Sequence, residues 1–169
     1  SASCGGKTAL AREGLAFKGP EPPYTKRVSC PELHYIPRDV LYWKSFFSFD
    51  EIKKALADKG ISIGDIQRIR VVRESPAGRA TLFRISHTGG VTDVPGADLR
   101  IALGSERMRS IWLHRLEARD GLLIMEGRGF GHGVGMCQWG AYAMAKEGRS
   151  PEEIVTYYFK DTRVVKLWN

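Results

Sequence analysis

Nine consecutive residues, Gly127-Arg-Gly-Phe-Gly-His-Gly-Val-Gly135, put glycine at every second position. Glycine at this density lets the backbone take positive φ and approach a ligand or another segment closely. The run opens directly into a helix expected from Cys137 to Glu147 and closed by Gly148. A glycine loop before a helix leaves backbone N–H groups at the positive end of the helix dipole, suited to an anion or a polarised oxygen. The pattern G-x-G-x-x-G does not occur in it, so it is not a dinucleotide fingerprint. The alternative is a tight packing loop.

Around this loop the chain alternates between two regimes. Residues 1–45 are turn-rich, punctuated by Gly5-Gly6, Gly19-Pro20, Pro22-Pro23, Pro31 and Pro37. They read as loops and short extended segments wrapped on something else. From Ser48 the pattern becomes regular. Ser48-Phe-Asp-Glu51 has capping-box spacing, and Ile52, Ala55 and Leu56 form an apolar stripe up to Gly60. Residues 66–72, 81–86 and 90–94 read as strands, with Ser75-Pro-Ala-Gly78 as the turn between the first two. A brief helix is expected over 97–103. Residues 111–116 and 122–126 form a hairpin around Arg119-Asp120-Gly121, since Asp-Gly is favoured turn chemistry. Ser150-Pro151-Glu152-Glu153 restarts a helix whose core face is Ile154, Tyr157 and Tyr158. Residues 163–167 read as a last strand. The result is one α+β domain over 1–169: a mixed, mostly antiparallel sheet with three or four short helices. Its groove lies at the Gly127 to Gly135 end, and the glycine loop and two helices span 127–159.

Composition excludes several classes. The hydrophobic fraction of 43% is that of a folded globular chain. The longest apolar runs are a few residues, far short of the roughly 20 that a membrane span needs. The chain has 26 basic and 19 acidic residues, a net charge of +7, a general field that attracts polyanions: nucleic acid, anionic lipid headgroups or an acidic cell-wall polymer. The basic residues are scattered, with no nucleic-acid motif among them.

Two constellations could carry chemistry. His132 in the glycine loop and Cys137 five residues later could be a base and nucleophile, two metal ligands or a buried polar pair. Cys137 alone is more often a small buried hydrophobe. Cys30 and His34, four apart on a proline-containing loop, could clamp one ion, with Cys4 reaching them through the pliable Gly5-Gly6. Zinc held by Cys4, Cys30 and His34, or a Cys4–Cys30 disulfide, both satisfy this spacing. His87 and His114 lie in strand-like segments and read as surface or satisfied core residues.

The long signature Gly-Arg-Gly-Phe-Gly-His-Gly-Val-Gly-Met-Cys-Gln-Trp-Gly-Ala-Tyr from Gly127 to Tyr142 resembles the C-terminal signature of the stage II sporulation protein D family. That family includes the modifier of a major autolysin. Ser3-Cys-Gly-Gly-Lys-Thr8, Pro23-Tyr24, Val28-Ser-Cys30 and Trp43 are similar to its opening segment. Gly78, Gly89-Gly90 and Asp98-Leu-Arg100 followed by Leu103-Gly104 are similar to its middle.

The resemblance implies an exported, extracytoplasmic domain that remodels peptidoglycan. Members are similar to lytic transglycosylases, which protonate a glycosidic oxygen from one carboxylic acid and release 1,6-anhydro ends. Others are described as amidase enhancers, and a non-catalytic module that binds glycan or activates an amidase is the alternative. The implied partners are peptidoglycan glycan strands and an N-acetylmuramoyl-L-alanine amidase, with no nucleic acid. The family's acid is a glutamate in an Ala/Ser-Glu-Met-Pro segment ahead of the Ser-x-x-Gly-Gly-x-Thr motif. No residue of this chain is therefore assigned that role, and the chain is expected to be the C-terminal part of such a domain. In the groove, Gly129, Gly131 and Gly133 would shape the floor and present N–H groups. His132 and Gln138 would hydrogen-bond sugar groups, and Trp139, with Tyr142 beside it, would stack on a pyranose face. The resemblance also admits a structural zinc, for which Cys4, Cys30 and His34 are the ligands expected.

Overall fold

The computed structural model describes residues 1–168. Six strands divide into two three-stranded sheets, both wholly antiparallel. The first sheet has the order β1 (Tyr42–Ser48), β6 (Leu122–Arg128), β5 (Leu113–Arg119). The second runs β2 (Ile66–Glu74), β3 (Ala80–His87), β4 (Gly90–Pro95). The α+β expectation holds, and four helices exceed one turn: α3 (Phe49–Ala57), α4 (Gly96–Ala102), α5 (Gln138–Lys146) and α6 (Pro151–Tyr158). Two single-turn helices, α1 (Ala11–Gly14) and α2 (Arg38–Leu41), and a 3₁₀ turn at Pro31–His34 punctuate the N-terminal part.

Local chemistry accounts for the boundaries. Ser48 Oγ accepts the Glu51 N–H at 3.1 Å and starts α3, which puts Ile52 and Leu56 into the core at 0% exposure. Ser150 and Glu153 exchange side-chain and backbone bonds of 3.2 and 2.7 Å, a complete capping box at α6. The β5–β6 hairpin turns through Asp120 and Gly121, both at positive φ (51° and 74°), as a primed turn requires.

Strand β1 has no counterpart among the expected elements. Its sequence, Tyr-Trp-Lys-Ser-Phe-Phe-Ser, carries aromatic residues on both faces, which hides the two-residue period. It pairs with the central strand β6, with Trp43 opposite Gly127. A side chain on Gly127 would run into the Trp43 ring, so that glycine makes room for the indole. The Trp43 indole N–H donates to Ser110 Oγ at 3.1 Å, and Ser110 in turn donates to the Arg128 carbonyl at 2.7 Å. At the other end of the chain, residues 163–167 form no strand. The valines there are half exposed and lack the buried face that would fix a register.

Two apolar cores result. The larger packs the sheets against α3 and α4 through Phe47, Ile52, Leu56, Phe83, Ile85, Leu99, Leu123 and Met125. Each such side chain, fully buried, contributes about 1.5–3 kcal/mol. The smaller gathers Cys4, Val28, Cys30, Cys137, Met144, Ile154 and Tyr158 under α5 and α6. The turn-rich N-terminal residues build this second core. They pair in isolated bridges, Ser3 with Phe130, Lys7 with Ser29, Ala9 with Val134 and Thr25 with Phe159.

Candidate functional site

The glycine loop is where the two cores meet. Gly129, Gly131, Gly133 and Gly135 all hold positive φ, between 65° and 117°. Their missing side chains are space used by neighbours: Ser3 and Gly5 at Gly129, Ser1 at Gly131, the Arg79 guanidinium at Gly133 and the Phe159 ring at Gly135. The expectation that this loop offers N–H groups to a ligand is corrected here. Gly129 donates to the Leu41 carbonyl, Phe130 to Ser3, Gly131 to Arg109 and Gly133 to Ser1 Oγ, at 2.7–2.8 Å. Val134 donates to His132 Nδ1 at 3.1 Å. These donors are spent inside the protein, so Gly129, Gly131 and Gly133 hold the loop rather than present it.

His132 is the polar side chain that remains partly open. With Nδ1 accepting from Val134, its Nε2 is the nitrogen left to meet a ligand. Burial lowers its pKa to about 4, helped by the positive charges of Arg100 and Arg79. It is thus a neutral imidazole at neutral pH.

Beyond the loop, Cys137 caps α5, its sulfur accepting the Gly140 N–H at 3.4 Å. The helix then presents an aromatic edge. Trp139 stands edge-on to Tyr142 with centroids 5.6 Å apart, and Tyr142 edge-on to Tyr35 at 6.0 Å. Tyr142 is 46% and Tyr35 39% exposed, and Gln138 is open to solvent. Lys146 lies over the Tyr142 ring. The expected residues therefore fall in two places: Gln138 and Tyr142 on an open helix face with Trp139 partly buried against the second core beside them, His132 and the glycines in the packed loop that precedes it.

Below this face lies a closed polar cluster. Sγ of Cys4, Cys30 and Cys137 and a carboxylate oxygen of Glu32 all lie within 4.8 Å of one another, and all four residues are buried. None of the cysteines is in a disulfide. His34 is not part of the cluster; it is exposed at the end of the 3₁₀ turn. That turn points Glu32 inward instead, two positions after Cys30. The pair Cys30 and Cys4 was legible as a site, whereas Glu32 and Cys137 were missed as its members. The Cys-Pro-Glu sequence at 30–32 was the available signal for Glu32. For Cys137, which is 133 positions from Cys4, no spacing rule exists.

Two carboxylates invite comparison as proton donors. Burial pushes Glu32 up to about 7, so it can hold a proton at neutral pH, but it has 0% exposure and cannot reach a substrate. Glu126 is accessible, beside Tyr42 and His114, but Lys44 and Arg115 each pair with it at 3.0 Å and lower its pKa. It stays ionised. The open carboxylate lacks a proton and the protonated one lacks access.

Known proteins resemble this chain in sequence. Residues 34–135 match the family model described as a domain of unknown function (DUF8618). An uncharacterized protein of Brachyspira hyodysenteriae is 31% identical over 98% of this chain. Stage II sporulation protein D of Bacillus subtilis is 43% identical over 41% of the chain, and the amidase enhancer of the same organism 28% over 56%. The chain spans 42% of the Brachyspira protein's length, and the matches cover 19% and 13% of the two Bacillus proteins.

Proposed function

Because the chain belongs to the stage II sporulation protein D and amidase enhancer family, we propose that it is a glycan-engaging domain of an extracytoplasmic cell-wall remodelling protein. In the whole protein this domain serves cleavage of glycan strands of the lytic transglycosylase type. The observation that carries this reading is the open aromatic edge of α5, Trp139, Tyr142 and Tyr35, set directly after the glycine loop with Gln138 at its start. A pyranose ring offers axial C–H bonds to such a surface, and the side-chain amide of Gln138 can both donate to and accept from hydroxyl and N-acetyl groups. His132 Nε2, on a neutral ring, adds one more partner beside them.

The reading assigns no proton donor within this chain: Glu32 is buried away from a substrate, and Glu126 is held ionised by Lys44 and Arg115. The same observation favours a second reading, in which the domain binds glycan and promotes an amidase without cutting. Its support is the likeness to the amidase enhancer of Bacillus subtilis. No helix among the described residues is long and apolar enough to cross a membrane.

Incubating the full-length protein with peptide-stripped glycan strands separates the two. Release of 1,6-anhydro ends, reduced in Trp139→Ala and Tyr142→Ala, is expected. Strand binding without cleavage, together with faster amidase turnover, establishes the second reading. Absence of any strand binding removes both.

A further inference from the structure

We propose that Cys4, Cys30, Glu32 and Cys137 hold one zinc-type divalent cation as a closed structural centre. The geometry begins with four donors within 4.8 Å of one another. A tetrahedral zinc with Zn–S bonds of about 2.3 Å has ligand-to-ligand edges of roughly 3.8 Å. Cys137 Sγ already lies 2.9 Å from Glu32 Oε2, and Cys4 Sγ 3.4 Å from Oε1 of the same carboxylate. Small side-chain rotations bring the set onto one tetrahedron. Three soft sulfurs and one oxygen select zinc over magnesium or calcium, which take oxygen ligands alone. Four protein ligands and full burial leave no open position, which is the pattern of a structural and not a catalytic site.

The groups around the donors are arranged for anions. The Cys4 and Gly140 N–H groups both point at Cys137 Sγ, at 3.3 and 3.4 Å. The Tyr158 hydroxyl is 3.2 Å from Cys30 Sγ. The Gly6 N–H donates to Glu32 Oε1 at 2.7 Å. Each ligand residue except Cys4 thus has a hydrogen-bond donor from outside the set, the surround that orients metal ligands and stabilises their charge. Four ionised ligands around a divalent cation carry a net charge of −2. Arg79, a guanidinium at 1% exposure, donates to the Cys4 carbonyl at 2.6 Å and faces no carboxylate at hydrogen-bond distance. It supplies a positive charge beside the centre. No disulfide serves these residues as well, because pairing any two sulfurs strands the third thiol against Glu32.

Such a centre joins three pieces of chain that share no secondary structure: the strip carrying Cys4, the turn carrying Cys30 and Glu32, and the cap of α5. It keeps Cys4 and Cys30 of the expected ligand set, drops His34, and adds Glu32 and Cys137.

The test uses the purified full-length protein, its metal content and its cobalt(II) form. One zinc per chain is expected, exchangeable for cobalt(II), with sulfur-to-cobalt charge-transfer absorption and the intense visible bands of tetrahedral cobalt. Cys137→Ser and Glu32→Gln should each weaken cobalt binding at least tenfold, whereas His34→Ala should leave it unchanged. If Cys137→Ser fails to fold, the wild-type spectrum and the Glu32→Gln titration still decide. The proposal is overturned by a wild-type protein without metal whose thiols react freely, by a Cys4–Cys30 disulfide, or by cobalt binding that His34→Ala abolishes and Cys137→Ser spares.

Discussion

Arg79 lies over the ring of Trp112, its guanidinium carbon 4.9 Å from the ring centroid, although Arg79 itself is almost wholly buried. One end nitrogen donates to the carbonyls of Cys4 and Lys7, at 2.6 and 2.7 Å, and so ties the N-terminal strip to the start of β3. Arg79→Lys keeps the charge but loses the planar surface that stacks and the reach to both carbonyls. The substitution should cost about 1.5–3 kcal/mol, the range for a buried bond to a charged group. A thermal melt lowered by several degrees is expected, and an unchanged one would show that the stack and the two bonds contribute little.

Gly140→Ala should be more damaging than its place in a helix suggests. Alanine is ordinarily the better helix former. Here a methyl group would overlap both the Tyr158 hydroxyl and Cys30 Sγ. Overpacking of this kind costs about 1–3 kcal/mol. Chemical denaturation should show a lower midpoint with an unchanged slope. A stabilised variant would mean that α5 has room to shift outward.

His132 should resist protonation. Its folded-state pKa, about 4, lies below the ordinary value of 6.5. The stabilisation linked to the neutral ring is therefore complete above pH 6.5 and is lost as pH falls from 6.5 towards 4, by about 1–2 kcal/mol once solvent screening of the partly open ring is allowed for. NMR titration of the ring carbon resonances should give a midpoint below 5. The His132→Ala variant should show a flatter stability profile across that window. A midpoint near 6.5 would place the imidazole in open solvent and remove the effect.

Tyr142→Ala should reduce affinity for peptide-stripped glycan strands several-fold while shifting the melting temperature little, because the ring is 46% exposed. Gln138→Ala, on the exposed start of the same helix, should behave alike. Sedimentation with insoluble glycan, alongside a melt of each variant, distinguishes this from a structural role. Loss of stability without loss of binding would assign both side chains to packing.

Most of the fold was legible because its signals are local. The Ser48 and Ser150 caps, the Asp120-Gly121 turn and the three strands of the second sheet each rest on residues a few positions apart. Strand β1 was not legible, because Phe46 and Phe47 put aromatic rings on opposite faces. The site was legible in part for the same reason. Cys30 and Cys4 flank recognisable loops, but Glu32 reads as a surface residue until the 3₁₀ turn aims it inward. Cys137 joins only through tertiary folding. The glycine alternation showed where segments come close together. It did not show that the partner in that approach is the strip over residues 1–10.

That partnership sets an order of events. Ser3 pairs with Phe130, Ala9 with Val134, and the Trp139 N–H reaches the Ala2 carbonyl. The hairpins of both sheets close over short loops, whereas this corner closes over a span such as the 133 positions between Cys4 and Cys137. Contacts so distant in sequence form slowly, and their loop-closure entropy falls due before they return any stabilisation. The two sheets, including the distant pairing of β1 with β6, need none of these contacts, so the corner is expected to close last, once the stretch after β6 is in place. Until then the strip has no partner in the fold and is open to proteases, so resistance of residues 1–10 to cleavage reports the closing of this corner.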